Sequence, residues 1–308
     1  MTLTTILIST AITLQVLFAV TLNITVIGTI IHGGFATKQR GHPIYIIALA
    51  NMFGDLFQLT MILCYVVPSS FAQDFLYPRE PVVKFLSFLF ISQWYQGCCT
   101  SILTSSSRFV IFICPRYSFL FTRNRLLTMC LLVYPLGLTL GAIGTYVLPC
   151  CTLYMYYGTY GYAYLEQGFN YSDHFIDLPL NSAMSLTAIV AYVSIFIHVH
   201  KSNKIISRSL SRNSLHRKKE VSYAVQFAVL SLFSLCAWTT FRIFPKIVPN
   251  DLLPAFSTIT FLHIFHCSAN AIVYFFLNKD VQGYAKAIFK QASPTHASAL
   301  FSVSGQAA

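Results

Sequence analysis

Seven long stretches of apolar residues recur along the chain, with Lys and Arg gathered in a few short clusters between them. A helix crosses the hydrocarbon core of a bilayer with about 20 apolar residues, because it rises 1.5 Å per residue and satisfies its own backbone. The pattern therefore predicts seven spans, over about 6–31, 44–67, 85–113, 126–147, 178–199, 221–241 and 255–277. Asp55 is the only charge in the second and Arg108 the only charge in the third; the others have none. Pro43, Pro68, Pro81, Pro115, Pro149, Pro179, Pro245 and Pro254 fall near span ends, where a missing N–H does least harm. The fold class is an all-α membrane protein with a seven-helix bundle over 1–290 and a short, disordered Ser/Ala-rich tail over 291–308.

Composition agrees. Of 308 residues only 9% are charged, against about 25% in a soluble domain, and the mean hydropathy is +0.64. That excludes an ordinary soluble enzyme, a disordered chain and a coiled coil. The net charge of +11 does not indicate nucleic acid, because the bases are not spread over a soluble surface. Lys38 and Arg40, then Arg116, Arg123 and Arg125, then Lys201 to Lys219, then Lys279, Lys286 and Lys290 put fifteen of the twenty on one side. Six of the nine acids lie on the other: Asp74, Glu80, Glu166, Asp173, Asp177 and Asp251. Short cytoplasmic loops collect Lys and Arg, so the N-terminus is expected outside and the C-terminus inside.

The apolar run from Ile6 is too long for the core of a cleavable signal and has no basic segment before it, so the first span is expected to insert the chain. Asn170-Tyr171-Ser172 is a glycosylation sequon in a loop assigned to the outside, whereas Asn23-Ile24-Thr25 lies within a span. Most cysteines sit in or near spans and read as small apolar packers. Cys150 and Cys151 lie at the outer face, where a disulfide could form; Cys64 is the one plausible mate elsewhere, and a weak one.

Polar groups inside a span are costly and mark functional positions by default. Asp55 lies midway along span two, Arg108 near the inner end of span three and Asn23 in span one. His263, His266 and Asn270 share one face of span seven through i, i+3, i+7 spacing. Interhelical hydrogen bonding alone would account for such groups; for Asn23 the two readings balance, and for Asp55 with Arg108 a switching role is favoured.

These residues resemble the rhodopsin-like pattern of G-protein-coupled receptors. Asn23-Ile24-Thr25-Val26 is similar to the N-x-x-V of the first helix, and Asp55-Leu56 to the second-helix aspartate. Ser107-Arg108-Phe109 stands where the family has D/E-R-Y, with Pro115 at the family's interval behind it. Asn270-Ala271-Ile272-Val273-Tyr274 resembles N-P-x-x-Y, and Lys279 to Lys290 the amphipathic eighth helix. Departures are as informative: Ser107 replaces the acid, Ala271 the proline, and no tryptophan occurs in span four. Span six lacks the C-W-x-P order, and the cysteine at the top of helix three is missing, with Val82, Val83 and Lys84 in its place. Such drift is similar to the nematode chemosensory serpentine receptors, class X or class T, through Arg108-Phe109 to Pro115-Arg116-Tyr117, Lys218-Lys219-Glu220 and the Tyr-rich second outer loop.

The resemblance implies a multi-pass plasma-membrane chemoreceptor, in the cilium of a sensory neuron, whose partners are the bilayer, a heterotrimeric G protein and a small extracellular molecule. Arg108, with Ser107 and Tyr274, would face the G protein. Glu220, the acid nearest span six on the inner side, would pair with Arg108 until span six swings outward; a Glu220 merely solvated among basic neighbours is the equal alternative. Asn23, Asp55 and Asn270 would form a mid-bundle polar cluster, which in the family can hold a sodium ion; Gly97, where a serine ligand is expected, weakens the ion, and a protonated Asp55 is the alternative. Trp94 precedes Arg108 by 14 residues, about 21 Å at helical rise. Phe90, Gln93, Trp94, Tyr95 and His263 therefore reach the depth of the ligand pocket. No acid stands at Phe90, which disfavours a biogenic amine and suits a small, weakly polar molecule. The loop bearing Tyr154, Tyr156, Tyr157, Tyr160, Tyr162 and Tyr164 would be either a lid or an interfacial belt; without the helix-three cysteine to tether it, the belt is favoured.

An enzyme is disfavoured, since neither H-E-x-x-H nor G-x-S-x-G occurs and the His198-Val199-His200 pair has no matching cluster. A ligand-gated channel or transporter is the stronger rival, although no internal repeat divides the chain. Ser107 and Ala271 also leave room for a non-signalling decoy receptor.

Overall fold

The computed structural model describes residues 2–37, 43–206, 213–249 and 252–291, with backbone only for 202–206, 213–224, 227 and 287–291. The expected tail beyond Gln291 therefore lies outside the described residues. Seven long helices form the bundle: α1 (Leu3–His32), α2 (Ile44–Ala72), α3 (Lys84–Ile113), α4 (Arg123–Val147), α5 (Leu178–Ile206), α6 (Asn213–Ile247) and α7 (Ser257–Leu277). A short α8 (Lys279–Gln291) follows. Most helices run past the expected spans, above all α6, whereas α7 starts two residues later than expected. Wide π-type turns lie at Ile62–Val66 in α2 and Ile143–Val147 in α4, and another, Asp173–Asp177, leads into α5. Pro135, unmarked by the sequence argument, sits inside α4, where the Thr139 hydroxyl donates to its carbonyl at 2.8 Å.

Six of these helices are apolar enough to cross a bilayer by length and composition, and α3 is the polar one. Its position explains the difference. α3 packs against α2, α4, α5 and α6, so few of its side chains need to suit lipid. Its hydroxyls turn back to their own helix: Ser92 donates to Phe88 O at 2.7 Å, Thr100 to Gln96 O at 2.9 Å and Thr104 to Thr100 O at 2.7 Å. A hydroxyl satisfied in this way carries little desolvation cost. Outward-facing Leu131, Leu132, Leu186 and Phe196 are instead exposed, as lipid-facing side chains should be.

The α3–α4 contact is close because Gly137 and Gly141 share one face of α4 at an interval of four. A Cβ on Gly137 would lie 2.7 Å from Ser92 O and 2.9 Å from Gln96 N, and one on Gly141 would lie 3.0 Å from Ser92 Cβ. Paired small residues let helix backbones approach where lipid supplies no hydrophobic drive.

The segment between α4 and α5 forms a hairpin of β1 (Leu153–Tyr156) and β2 (Gly161–Tyr164), antiparallel with Leu153 opposite Tyr164 and Met155 opposite Tyr162. This is a lid and corrects the expectation of a belt. Tyr154, Met155 and Tyr160 are buried in the core beside Ile12, Leu59, Tyr65 and Phe90. Polar contacts replace the missing cysteine as tether. The Tyr154 hydroxyl donates to Glu80 at 3.0 Å, Arg79 lies 4.5 Å from the Tyr154 ring centre, and Met155 N–H donates to Ser87 Oγ at 2.9 Å. Thr152 N–H donates to Glu166 at 3.0 Å. Tyr160 takes a left-handed backbone (φ 57°) at the turn, and its buried ring places the hydroxyl 3.1 Å from Thr5 Oγ1 of α1. Cys150 and Cys151 are bonded to each other, and Cys64 is a free thiol.

Thus the hairpin and the start of α1 mark one end of the bundle. At the other, Tyr284 of α8 donates to His32 O at 3.0 Å, below the last turn of α1.

Candidate functional site

Beneath the hairpin lies a narrow cavity lined by Phe90, Ile91 and Trp94 of α3, Trp238 and Phe241 of α6, and His263 of α7. Strand alternation supplies its roof. Leu153, Tyr162 and Tyr164 face the cavity, while Tyr154 points to Glu80. The rings interlock: Phe90 with Tyr162 at 5.2 Å, Phe90 with His263 at 5.3 Å, Trp94 with His263 at 5.7 Å and Tyr162 with Phe241 at 5.2 Å. Tyr162 and Tyr164 also line a wider vestibule, shared with Arg242, Lys246 and Phe256.

Of the residues expected at pocket depth, Phe90, Trp94 and His263 line this cavity and two do not. Tyr95, fully buried, packs with Ile91, Leu153 and Ile176 on the flank of α3. Gln93 turns toward Gln96, to which it donates, and reaches the deeper cavity described next. A helix repeat of 3.6 residues cannot place four near-consecutive positions on one face. Trp238, Phe241 and Asp177 also line the cavity beneath the hairpin, and their positions in the sequence carried no pocket signal. Asp177 was legible only as a loop acid, yet it is 3% exposed on the cavity wall, where Asn181 Nδ2 donates to it at 3.0 Å and Trp238 Nε1 at 3.4 Å.

Below this, a polar cavity runs through mid-bundle, lined by Asp55, Gln58, Gln93, Gln96, Ser101, Ser234, His266 and Asn270 among others. Asn270 Nδ2 donates to Asp55 Oδ2 at 2.8 Å, so these two distant positions do meet. Asn23 does not join them. It donates to Ala19 O at 2.9 Å within α1 and to Cys267 O at 3.2 Å, stapling α1 to α7. Gly97 brings no side-chain oxygen to the cavity, and Asp55 accepts from Asn270 through Oδ2 alone. The common face of α7 is real but serves two places: His263 lines the upper cavity, and His266 and Asn270 the lower.

Toward the α8 end, Arg108 is 2% exposed. It lies close enough to Tyr192 of α5 and Tyr274 of α7 to act on both electrostatically. Ser107 is buried with its hydroxyl donated to Thr104 O at 2.7 Å, so it is turned into its own helix. Tyr274, fully buried, packs on Tyr45 with ring centres 5.9 Å apart. Gln226 Nε2 donates to Leu277 O at 3.3 Å, joining α6 to the end of α7. The Glu220 side chain lies outside the described residues. Asn170 is part-exposed at the vestibule, its Oδ1 accepting from Asp173 N–H at 2.9 Å.

An aromatic cavity under a lid, a polar channel beneath it and a buried arginine at the far end thus share α3 and α7. Squid rhodopsin has the same fold: its crystal structure superposes with a TM-score of 0.73, covering 92% of this chain and 85% of that one at 12% identity. No curated protein sequence matches the chain. The sequence profile described as "Serpentine type 7TM GPCR chemoreceptor Srx" matches residues 4–278. With nearly every described helix inside that match, the chain belongs to the Srx family of serpentine seven-transmembrane chemoreceptors.

Proposed function

We propose that this receptor binds a small molecule in the cavity beneath the hairpin and activates a heterotrimeric G protein at the α8 end. The observation that carries the reading is the shared scaffold. α3 presents Phe90 and Trp94 to the upper cavity and buries Arg108 near its other end, while α7 presents His263, Asn270 and Tyr274 at matching levels. A ligand acts only through a difference in affinity between two arrangements. A molecule wedged between Trp94, Trp238 and Phe241 touches α3 and α6 together, and so favours one arrangement of that pair over another. On this reading α6 swings outward at its Asn213 end, Glu220 parts from Arg108, and the G protein docks there. The hairpin end faces outside the plasma membrane of a sensory cell, where Asn170 would carry a glycan, and the basic α5–α6 connection faces inside. No catalytic role is assigned to the chain.

The test is G-protein activation in cells against a panel of small volatile and water-soluble molecules, at matched surface expression. A ligand-dependent response lost in Arg108→Ala, with raised basal activity in Glu220→Ala, is the expected result. A response that survives in Arg108→Ala, or a current persisting with G proteins blocked, would replace this reading with a channel.

A further inference from the structure

The upper cavity holds one acid, and it comes from an unexpected helix. Asp177, at the entry to α5, is 3% exposed and accepts from two neutral donors, Asn181 Nδ2 at 3.0 Å and Trp238 Nε1 at 3.4 Å. The nearby cation is committed elsewhere: Arg242 Nη1 donates to Asp173 Oδ2 at 2.8 Å, with its guanidinium 5.7 Å from the Trp238 ring centre. Asp173 and Arg242 cancel, which leaves the pocket wall with the charge of one carboxylate. His263, also on that wall, packs among Phe90, Trp94 and Tyr162. Among the described residues no cation pairs with Asp177.

Burying a carboxylate without a counter-charge costs several kcal/mol. The two Asp177 oxygens accept from different donors, and neither donor carries a charge. Most of the remaining wall is aromatic, from Phe90, Trp94, Tyr162, Trp238 and Phe241, with Ile91, Leu153 and Ala237 between them. Aromatic faces attract cations, and more so where water is excluded. The space between these walls is narrow, so only a compact molecule enters it, and the rings part to admit one.

Resting on the receptor reading above, we infer that the ligand is a compact protonated amine on an aromatic or alicyclic body, its ammonium held by Asp177 and its body by the ring cage. The absence of an acid at Phe90 excludes an amine only if α3 must supply the counter-ion; here α5 supplies it. The vestibule between Arg242, Lys246 and the hairpin is the route in, past the Asp173–Arg242 pair.

The test uses the purified full-length receptor in lipid nanodiscs. Binding is read by thermal stabilisation for 2-phenylethylamine and cyclohexylmethylamine, against the matched neutral probe 2-phenylethanol and the anion phenylacetate. The wild type should bind the amines at least about 30-fold more tightly than the alcohol, the scale of a buried charge pair. Asp177→Asn should remove that preference. The comparison of amine with alcohol on the wild type stands even if the variant fails to fold. Equal binding of amine and alcohol, no binding of either amine, or an amine preference retained in Asp177→Asn would each overturn the assignment. Activation by neutral probes alone, lost in Arg108→Ala, would reject the amine and keep the receptor. Amine binding lost in Asp177→Asn without G-protein activation would keep the site and reject the coupling.

Discussion

Substituting Gly137 by alanine tests whether the close α3–α4 contact holds the helix that carries both Trp94 and Arg108. The added Cβ would stand 2.7 Å from Ser92 O and 2.9 Å from both Gln96 Cβ and Gln96 N. The nearest approach is roughly 0.7 Å inside ordinary contact, against atoms of α3 that no side-chain rotation can move. Overpacking of this kind costs about 1–3 kcal/mol. Alanine also favours the helix over glycine by about 0.8–1.0 kcal/mol, so the raw change understates the clash. Gly28 of α1 provides the correction, since a Cβ there meets nothing within 4 Å. Gly28→Ala takes the same helical gain with no clash. The difference between the two variants then isolates the steric term at about 1–3 kcal/mol, with Gly137→Ala the less stable. In thermal denaturation of the purified receptor in one detergent, a separation of several degrees is expected, at about 2–4 °C per kcal/mol for somewhat smaller chains. Equal melting temperatures would refute the claim that these glycines set the distance between α3 and α4.

Two further outcomes follow from the polar groups. Asn270→Leu leaves the Asp55 carboxylate without its amide donor and should destabilise the receptor by about 1.5–3 kcal/mol, whereas Asp55→Asn, which keeps an acceptor for Asn270, should cost less; thermal denaturation of both variants checks the order. On the lid, the Tyr154 hydroxyl, then Lys84 and Arg79, hold the Glu80 carboxyl below the ordinary glutamate range. A depressed carboxyl stabilises the fold above its ordinary range, and that contribution is lost as pH falls through the lower folded value. Melting temperatures measured from neutral to acid pH should therefore fall less steeply in Glu80→Gln than in the wild type, and identical slopes would remove Glu80 from the tether.

The number and rough extent of the spans, and the pairing of Asp55 with Asn270, were legible in the sequence. Apolar length and rare intramembrane charge are properties of single segments, and the rhodopsin-like spacing linked two of them. The lid was half-legible. Tyr154 and Tyr156, then Tyr160, Tyr162 and Tyr164, alternate with the period of two that marks a strand. Reading them as a belt followed from treating a disulfide as the only possible tether, when Tyr154, Arg79, Glu80 and Ser87 hold the hairpin without one. Gly137 and Gly141 likewise carried a close-packing signal in plain view.

What the sequence by itself determined is the class of fold, because each helix must satisfy its own backbone in lipid and so announces itself by length and polarity. What only the tertiary structure decided is which way each polar side chain faces and what meets it there. Asn23 went to a carbonyl of α7 instead of Asp55. Tyr95 and Gln93 left the pocket to which their depth had assigned them. Asp177, an acid at the edge of a loop, became the one carboxylate among the rings of the upper cavity. Depth along a helix follows from counting residues, but rotation about its axis and contact across the bundle depend on how seven helices and a hairpin pack at once.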